Sequence, residues 1–380
     1  MTPQAFFASC PRGLEALLAE ELAAAGARAT EALPGGVAFE GDLRTCYRAN
    51  LESRLATRVL AKVGRSGYRG ERDVFEAALA VKWPDWFSEK QSIRVDVKAI
   101  RSTLKSLDFA TLTIKDAVCD RFRADRGSRP DVDTRSPGVR IQAFLDSQTV
   151  TFYVDTSGEA LHRRGYRRDA GEAPLKENLA AGIVRLTGWK PEEPLVDPMC
   201  GSGTIAIEAA MAALAIPPGH ARAFGFERLA CHDREAWKDV RDAALARRRP
   251  SERLPIFARD RYGDELKKAR ANLEAAGLVD CVEVKQADIL DTRAPAASGV
   301  MIANPPYGER LGEDAALEEF YPRLGDTLKK YYAGWRCYLF SGDTRLPRLI
   351  RLAVSRRTPL YNGPLECRLY EYRMVAGSNR

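Results

Sequence analysis

The feature that most constrains the fold is a regular alternation of strand-like and helix-like segments in the second half of the chain. A short apolar segment at 194–197 precedes a glycine-rich turn and a helical stretch at 204–214. The same order recurs downstream and reaches a strand at 337–341. Because strands joined by helices lie parallel, the alternation predicts an α/β fold with a mostly parallel, doubly wound sheet. The alternating segment at 366–372 suits an antiparallel hairpin at the sheet edge.

The N-terminal part of the chain has a different pattern, in which short alternating strands are mixed with helices. Residues 92–97 alternate apolar and charged side chains, which is typical of a strand with one buried face. Two alternating segments, 139–145 and 149–154, are separated by three polar residues and predict a hairpin. Apolar residues recur with helical spacing over 110–126, and Gly127 ends that helix. We therefore expect an α+β region before the α/β region.

Composition and charge bound the class of protein. The 380-residue chain is 45% hydrophobic, and we find no apolar run long enough to span a membrane. The N-terminus lacks the basic and apolar regions of a signal peptide. Eight cysteines without a C-x-x-C pair, and only three histidines, argue against a metal site and favour free thiols in a reducing, cytoplasmic compartment. The net charge of +7 is compatible with a nucleic-acid partner.

An Asn-Pro-Pro-Tyr turn at 304–307 follows an apolar strand and is suited to holding a planar exocyclic amine. The side-chain carbonyl of the Asn can accept one N–H, and the two prolines fix φ so that a backbone carbonyl can be aimed at the second. The Tyr ring offers a face on which an extruded base can stack. The alternative is an ordinary proline turn after a strand. The predicted catalytic residues are Asn304, Pro305, Pro306 and Tyr307.

The turn that follows the first strand of the α/β region, Asp-Pro-Met-Cys-Gly-Ser-Gly-Thr, indicates a cofactor site. Its glycines let the backbone approach a ligand, and the helix N-terminus offers N–H groups to a carboxylate. The turn lacks the triphosphate-loop pattern and the G-x-G-x-x-G pattern of nicotinamide dehydrogenases. A zwitterionic nucleoside such as S-adenosylmethionine fits better. The residues predicted to contact it here are Asp197, Cys200, Gly201, Ser202, Gly203 and Thr204, with Asn304 contributing from the later turn.

The ribose diol of such a cofactor needs a carboxylate at the end of the second strand, and the sequence offers two. Glu227 lies about 20 residues beyond the glycine turn, which is the usual spacing. Asp260 lies farther on but follows a better strand, so we prefer it and interpret 217–252 as an inserted helical segment. Asp288 ends the third strand and could accept from the adenine amino group. A lone Asp is often a helix cap, but three at successive strand ends favour a ligand site.

The segment between the two regions, His-Arg-Arg-Gly-Tyr-Arg-Arg at 162–168, packs four arginines around a tyrosine. Such a charge run can be a solvated, flexible hinge. It can equally be a phosphate clamp for a nucleic acid, with the tyrosine as a stacking ring. The candidate RNA-binding residues of this segment are Arg163, Arg164, Arg167 and Arg168.

These residues resemble a known family. The turns at 197–204 and 304–311 resemble those of class I amino-methyltransferases with an Asn-Pro-Pro-Tyr motif. The segments 161–167, 173–180 and 361–369 look like the RlmL family of bacterial 23S rRNA guanine-N2 methyltransferases, which have an N-terminal THUMP domain. Phe109 with the segment 114–118 resembles the THUMP signature, which adds Lys115 to the RNA-binding candidates. The resemblance covers essentially the whole chain.

The resemblance implies a Rossmann-like class I methyltransferase sheet preceded by an α+β THUMP/ferredoxin-like RNA-binding region. The implied domains are a ferredoxin-like segment (1–45), a THUMP domain (46–157), a basic linker (158–173) and a methyltransferase domain (174–380). The implied activity is methyl transfer from S-adenosylmethionine to the N2 amine of a guanine in 23S rRNA, without a metal. Family members often carry a second domain that makes 7-methylguanine, and because this chain ends before one, we expect the first activity alone.

Other functions use some of the same residues. An N6-adenine methyltransferase acting on DNA or RNA, or a protein-glutamine methyltransferase, would use the same turn, and the turn itself does not distinguish guanine from adenine. The THUMP-like half favours RNA over DNA and protein. A non-catalytic RNA-binding module would be expected to show decay in the glycine turn or at Asn304, and both are intact.

Overall fold

The structure is a computed structural model that describes residues 4–167, 175–305 and 314–375. These residues form two compact units, and neither is a single stretch of chain. The first unit combines Met1–Cys10, Leu18–Leu161 and Ala221–Ala244. The second unit combines Pro11–Leu17, His162–His220 and Leu245–Arg380. Within the described ranges, no helix is long and apolar enough to cross a membrane.

The first unit is built on a mixed sheet of seven described strands. The strands are β1 (Gln4–Ser9), β2 (Arg28–Leu33), β3 (Gly36–Gly41), β4 (Arg58–Gly67), β5 (Ile93–Ala99), β6 (Val139–Leu145) and β7 (Thr149–Asp155). Their order across the sheet is β2-β3-β1-β4-β7-β6-β5, and β5 and β6 form its parallel pair. The helices of this part of the chain are α1 (Glu15–Ala24), α2 (Leu43–Glu52), α3 (Glu71–Ala80) and α4 (Leu107–Arg126). The predicted α+β region and its hairpin, β6 and β7, are confirmed.

Helix α4 shows how local sequence sets the ends of an element. Ser106 caps the helix by accepting a hydrogen bond from the Phe109 amide at 3.2 Å, so α4 begins at Leu107, three residues earlier than apolar spacing alone indicated. Gly127 ends it with a φ of 74°, a left-handed conformation that favours glycine. The buried face of α4 packs on α3 and β5.

The second unit contains a sheet that is parallel over most of its width. Its described strands are β8 (Leu195–Asp197), β9 (Ile256–Asp260), β10 (Glu283–Gln286), β11 (Gly299–Ala303), β12 (Trp335–Ser341), β13 (Arg356–Asn362) and β14 (Leu365–Arg373). The other α-helices that the structure describes are α5 (Glu177–Leu186), α6 (Thr204–Ala213), α7 (Arg234–Ala246), α8 (Gly263–Ala275), α9 (Asp314–Tyr331) and α10 (Leu346–Leu349). The strand order is β10-β9-β8-β11-β12-β14-β13. The predicted mostly parallel, doubly wound sheet is confirmed, with β13 and β14 as its antiparallel edge hairpin.

The order of these strands reverses beside β8, in the middle of the sheet. Strand β8 lies in the middle, the chain then adds β9 and β10 on one side, and it returns to add β11 on the other side. All residues of β8 and β11 are buried, as expected for parallel strands covered on both faces. Ligands of open α/β sheets bind at the carboxyl ends of the strands where the order reverses. The carboxyl ends of β8, β9 and β11 therefore mark the candidate site.

The segment 221–244, part of the predicted inserted segment, groups with the first unit rather than with the sheet that flanks it in sequence. An aromatic cluster attaches it to α2, because the Tyr47 ring lies 4.5 Å from the Phe226 ring and 5.7 Å from the Trp237 ring between centroids. Such pairs stabilise packing beyond the area they bury. Glu227 belongs to this segment, and its carboxylate accepts from the Phe224 amide at 2.8 Å. It is therefore a local cap and does not stand at a strand end.

Helix α9 provides a test of the packing beside the sheet. An added Cβ at Gly325 would lie 2.0 Å from the carbonyl oxygen of Ile350, which is backbone and cannot rotate away. We expect Gly325→Ala to lower the free energy of unfolding by about 2–4 kcal/mol in urea denaturation. Gly263→Ala is the control, because its Cβ would meet only the Gln286 side chain, at 3.6 Å. Equal unfolding midpoints for Gly325→Ala and the unsubstituted protein would contradict this packing.

Candidate functional site

The glycine turn after β8 has a backbone that only glycine adopts easily at two positions. Gly201 and Gly203 have φ values of 50° and 80°, both in the left-handed region. The Gly203 amide donates to the Cys200 carbonyl at 2.8 Å and closes the turn, and α6 starts at the next residue. An added Cβ at Gly203 would lie 3.2 Å from the Ala269 Cβ on α8. The turn therefore packs closely against α8 and leads directly into α6.

Hydrogen bonds hold the turn against β9 and α8. The Gly201 amide donates to Asp260 Oδ2 at 2.9 Å, and the Cys200 amide donates to the Arg259 carbonyl at 2.8 Å. The Asn272 side chain, buried on α8, donates to the Ser202 carbonyl at 3.0 Å. The glycine turn and Asp260, which were predicted from separate segments to contact the same cofactor, are therefore in direct contact.

Asp197 ends β8, and one of its carboxyl oxygens is buried without a hydrogen bond to a described residue. Its Oδ1 atom accepts no hydrogen bond from any residue that the structure describes. Burial raises the pKa of Asp197 well above its ordinary range, and the neighbouring Asp260 carboxylate raises this pKa further. A buried acceptor without a donor is costly. A cationic amine in this position would remove that cost and restore the ionised form of the acid.

The acids at the ends of β9 and β10 are placed differently. Asp260 is buried, which raises its pKa, and its two oxygens accept one backbone N–H each, from Gly201 and Tyr262. Each oxygen retains a lone pair that a ribose hydroxyl can use. Asp288 is half-buried after β10 and accepts from the Leu290 amide at 2.9 Å. Asp260 is the more buried of the two acids and is therefore the stronger candidate for a ligand contact. Asp288 is half-buried, and its hydrogen bond to the Leu290 amide also stabilises a turn.

Asn304 follows β11 directly, at the edge of the sheet where Asp197 ends β8. Its side-chain carbonyl oxygen is buried, and among the described parts of the chain it has no hydrogen-bond donor. Pro305 is buried beside it. The rest of the predicted amine-holding turn, Pro306 and Tyr307, lies outside the described residues. An unsatisfied acceptor at this position fits an N–H donor supplied by a substrate.

The donor set fits S-adenosylmethionine. Its amine is a cation for the carboxyl of Asp197, its carboxylate suits the N–H groups of Ser202 and Thr204 at the start of α6, and its ribose diol suits Asp260. Cys200 is buried in the same turn, and burial raises the pKa of its thiol well above the ordinary value, so it is a neutral wall at neutral pH. Across the described residues, no group of three or more His, Cys, Asp or Glu side chains could hold a metal ion.

The arginines predicted to bind RNA occupy unlike environments. Arg164 is buried, with its Nε atom 3.4 Å from Glu208 Oε1, so the prediction of a phosphate contact is wrong for this side chain. The predicted stacking ring, Tyr166, is also buried and donates to Glu208 Oε1 at 3.1 Å. The Arg167 side chain is 11% exposed and pairs with Glu177, which also removes it from the surface. A buried arginine is stable only when paired, and Glu208 and Glu177 supply the partners.

Two candidates remain at the surface of their units. Arg163 is exposed, whereas Lys115 on α4 is half-buried and forms an ion pair with Asp116 at 2.6 Å. Arg168 lies outside the described residues. The exposed position of Arg163 keeps a phosphate contact open for it, and the ion pair of Lys115 is partly screened by solvent, so it holds that side chain weakly.

The sequence analysis did not identify the buried polar residues that contact the glycine turn and the segment 164–167. Asn272, Glu177 and Glu208 are all buried, and each contacts a residue of the turn or of the segment 164–167. A signal was present for Glu208, because it interrupts the otherwise apolar helix that starts at Thr204. A charged residue inside an almost completely buried helix requires a partner.

A parallel sheet in this order, with a glycine turn after its central strand and acids at the neighbouring strand ends, defines a class I methyltransferase, a class that uses S-adenosylmethionine. Residues 164–371 match the family described as RMKL-like, methyltransferase domain, and the chain belongs to that family. Residues 5–60 match the RlmL ferredoxin-like domain, and residues 68–155 match the THUMP domain. The predicted family and fold class are confirmed.

Individual relatives agree with this assignment. The chain is 39% identical, over 98% of its length, to the ribosomal RNA large subunit methyltransferase K/L of Aeromonas salmonicida. It spans about half, 54%, of that curated relative. Among solved structures, the methyltransferase SMU.472 complexed with SAH is 31% identical, with a TM-score of 0.90 and coverage of 98% of this chain and 99% of that one. A Listeria monocytogenes protein described as a predicted N6-adenine-specific DNA methylase is 33% identical, with a TM-score of 0.88 and coverage of 98% and 97%.

Proposed function

We propose that the chain transfers a methyl group from S-adenosylmethionine to the exocyclic N2 amine of a guanine in 23S rRNA. The observation that carries the proposal is the buried side-chain carbonyl oxygen of Asn304, which follows β11 beside the end of β8; neither this oxygen nor Asp197 Oδ1 accepts a hydrogen bond from a residue that the structure describes. One acceptor suits the substrate amine and the other suits the cofactor amine. The identity to an enzyme named ribosomal RNA large subunit methyltransferase K/L supports rRNA as the substrate.

Three acids and the glycine turn would hold the cofactor. Asp197 would pair with the methionine amine, the N–H groups of Ser202 and Thr204 would receive the methionine carboxylate, and Asp260 would receive the ribose diol, since the Gly201 and Gly203 N–H groups already donate within the protein. Asp288 is assigned to the adenine amino group. The positions of these residues at the ends of β8, β9 and β10, and the need of each buried polar group for a partner, support these roles. When bound, S-adenosylmethionine supplies an electrophilic methyl group on a sulfonium that leaves readily.

The substrate side of the site acts by positioning. Asn304 accepts one N–H of the guanine amine, which reduces delocalisation of the nitrogen lone pair into the ring and fixes its direction. A carbonyl of the proline turn is assigned to the second N–H, and Tyr307 to stacking on the extruded base. Because the methyl donor is already activated, orientation supplies most of the rate and a strong general base is not required. The proton that the amine loses passes to solvent.

The RNA would be held mainly outside this site. The match of residues 68–155 to the THUMP domain supports binding of structured RNA by the first unit, where Lys115 lies on α4. Arg163 and Arg168 are the arginines of the 162–168 segment that we retain as phosphate contacts. Contacts to phosphates and to RNA shape position the target without reading its sequence.

The test is methyl transfer by the full chain to 23S rRNA purified from a strain that lacks the corresponding gene. S-adenosylmethionine with a labelled methyl group is the donor, and the RNA is digested to nucleosides for chromatography. We expect label in N2-methylguanosine and none with rRNA that already carries the modification. Label confined to protein, or no transfer to any RNA, would overturn the proposal.

A second candidate is N6-adenine methylation, which a specific relative favours. The Listeria monocytogenes protein described as a predicted N6-adenine-specific DNA methylase shares 33% identity and nearly the whole fold. Both amines present two N–H groups in a plane, so Asn304 can hold either one. The same digestion separates the candidates, because label in N6-methyladenosine would replace the guanine assignment and leave the catalytic geometry in force.

A further inference from the structure

We propose that Arg167 is a positioning residue of the cofactor site, which fixes the start of α6 and the glycine turn through Thr204. The proposal rests on the cofactor site of the proposed function. In this role Arg167 affects the affinity for S-adenosylmethionine, and it does not contact an RNA phosphate as the arginine-rich sequence around it predicted.

The guanidinium of Arg167 is held by three partners in the second unit. Its Nη2 atom donates to Thr204 Oγ1 and to the Leu175 carbonyl oxygen, each at 2.9 Å. Its Nε atom lies 3.1 Å from Glu177 Oε1 in an ion pair whose two side chains are almost fully buried, although this Nε–H makes no hydrogen bond to a residue that the structure describes. A planar guanidinium can satisfy such a set of partners at fixed angles, whereas a lysine ammonium cannot.

These contacts lead directly to the glycine turn. Thr204 is the first residue of α6, and its Oγ1 atom lies 3.4 Å from Ser202 Oγ. Ser202 stands between Gly201 and Gly203, the two residues in the left-handed region. Glycine is conformationally permissive, so the turn needs outside contacts to keep its N–H groups in one arrangement. Asn272 on α8 provides one such contact, to the Ser202 carbonyl. Arg167 provides another, to the Thr204 hydroxyl at the end of the turn.

The environment of Arg167 makes its contribution geometric rather than electrostatic. Glu177 neutralises its charge, and burial raises the pKa of Glu177 although Arg167 lowers it. Arg164 and Tyr166, on the same short segment, both contact Glu208 on α6. The segment 164–167 is thus fastened to the helix that begins at the glycine turn. Removal of Arg167 frees the Thr204 hydroxyl and loosens the first turn of α6.

The experiment measures S-adenosylmethionine affinity of the full chain by titration calorimetry, without RNA. We expect Arg167→Gln to weaken binding about 10-fold, since it removes charge-assisted hydrogen bonds to a buried hydroxyl. Thr204→Val, which removes the hydroxyl but keeps the shape, should weaken binding by a similar factor. The double variant should lose little more than either single variant, because both remove the same contact. Arg167→Lys should not restore affinity.

Two controls separate positioning from unfolding and from RNA contact. Arg163→Gln changes the exposed neighbouring arginine and should leave S-adenosylmethionine affinity unchanged. Thermal unfolding of each variant identifies the temperature range in which it is folded, and affinities are compared there. At saturating S-adenosylmethionine, kcat of Arg167→Gln should stay within about threefold of the unsubstituted enzyme, because the lost contact acts on binding.

Specific outcomes would overturn the proposal. S-adenosylmethionine affinity equal to that of the unsubstituted chain, with weaker and less salt-dependent rRNA binding, would show that Arg167 contacts phosphate. Additive losses in the double variant would show that Arg167 does not act through Thr204. Failure of the unsubstituted chain to bind S-adenosylmethionine would instead remove the cofactor site itself, which is a distinct result from equal binding by both proteins.

Discussion

Replacement of Asn304 by alanine is expected to lower kcat by about 100- to 1000-fold, which is the usual effect of losing one preorganised hydrogen-bonding group at a reacting centre. The variant should still bind S-adenosylmethionine with at most a small loss of affinity, because Asn304 is one of several predicted cofactor contacts and the others, led by Asp197, Asp260 and the glycine turn, are kept. Steady-state methyl transfer at saturating S-adenosylmethionine and rRNA measures kcat, and calorimetry without RNA measures the affinity.

The unsatisfied oxygen of Asn304 supplies a second readout that distinguishes catalysis from structure. A buried acceptor without a donor lowers stability in the free protein, so its removal should leave the unfolding temperature equal or slightly higher. Asn304→Asp is the matched variant, because a carboxylate still accepts an N–H, and we expect its kcat to lie between those of the alanine variant and the unsubstituted enzyme. A kcat for Asn304→Ala near that of the unsubstituted enzyme would contradict the amine-holding role, whichever base is methylated.

Much of the second unit could be predicted because its signals are local. Strand β8, its glycine turn and α6 follow one another within 20 residues, and buried parallel strands contain continuous apolar segments such as β11. The placement of 221–244 could not be predicted this way. It depends on ring contacts between Tyr47 and residues near 226 and 237, and no local pattern records a partner so distant in sequence.

The candidate site shows the same division. Asp197 and Asp260 could be predicted to lie near each other because the carboxyl ends of adjacent parallel strands meet on one side of the sheet, and the structure places both acids there. Arg164 and Arg167 were misplaced because a run of arginines was interpreted by its composition, as a surface. Their burial depends on Glu208 and Glu177, and nothing in the run itself indicates that these carboxylates lie against it.

Asp197→Asn is the second substitution for which we expect a large effect, a loss of S-adenosylmethionine affinity of about 30-fold or more, as when one member of a buried charge pair is removed. The asparagine keeps the shape of the side chain and one acceptor oxygen, so the loss reports the charge that faces the methionine amine. Calorimetry without RNA measures it. Asp288→Asn, at the half-buried acid after β10, is the comparison and should cost less.

The stability of the free Asp197→Asn protein should move in the opposite direction to its affinity. Burial and the Asp260 carboxylate hold the pKa of Asp197 well above the value of about 4 that it has in the unfolded chain. Above pH 4 the folded state therefore binds a proton that the unfolded state has released, and the free energy of unfolding falls as pH rises until the folded pKa is passed. Asparagine cannot ionise and lacks this loss. Its stability advantage over the unsubstituted protein should grow from pH 4 towards neutrality in urea denaturation.

Proton release links these two effects. Where Asp197 is protonated in the free protein, its ionisation on binding the cofactor amine releases a proton, and calorimetry in buffers of different ionisation enthalpy measures that release. The pKa of Asp260 is also raised by burial, so a part of the release that survives in Asp197→Asn belongs to that acid. A variant that binds S-adenosylmethionine as tightly as the unsubstituted protein, with the same proton release, would show that the unsatisfied oxygen of Asp197 does not face the cofactor amine.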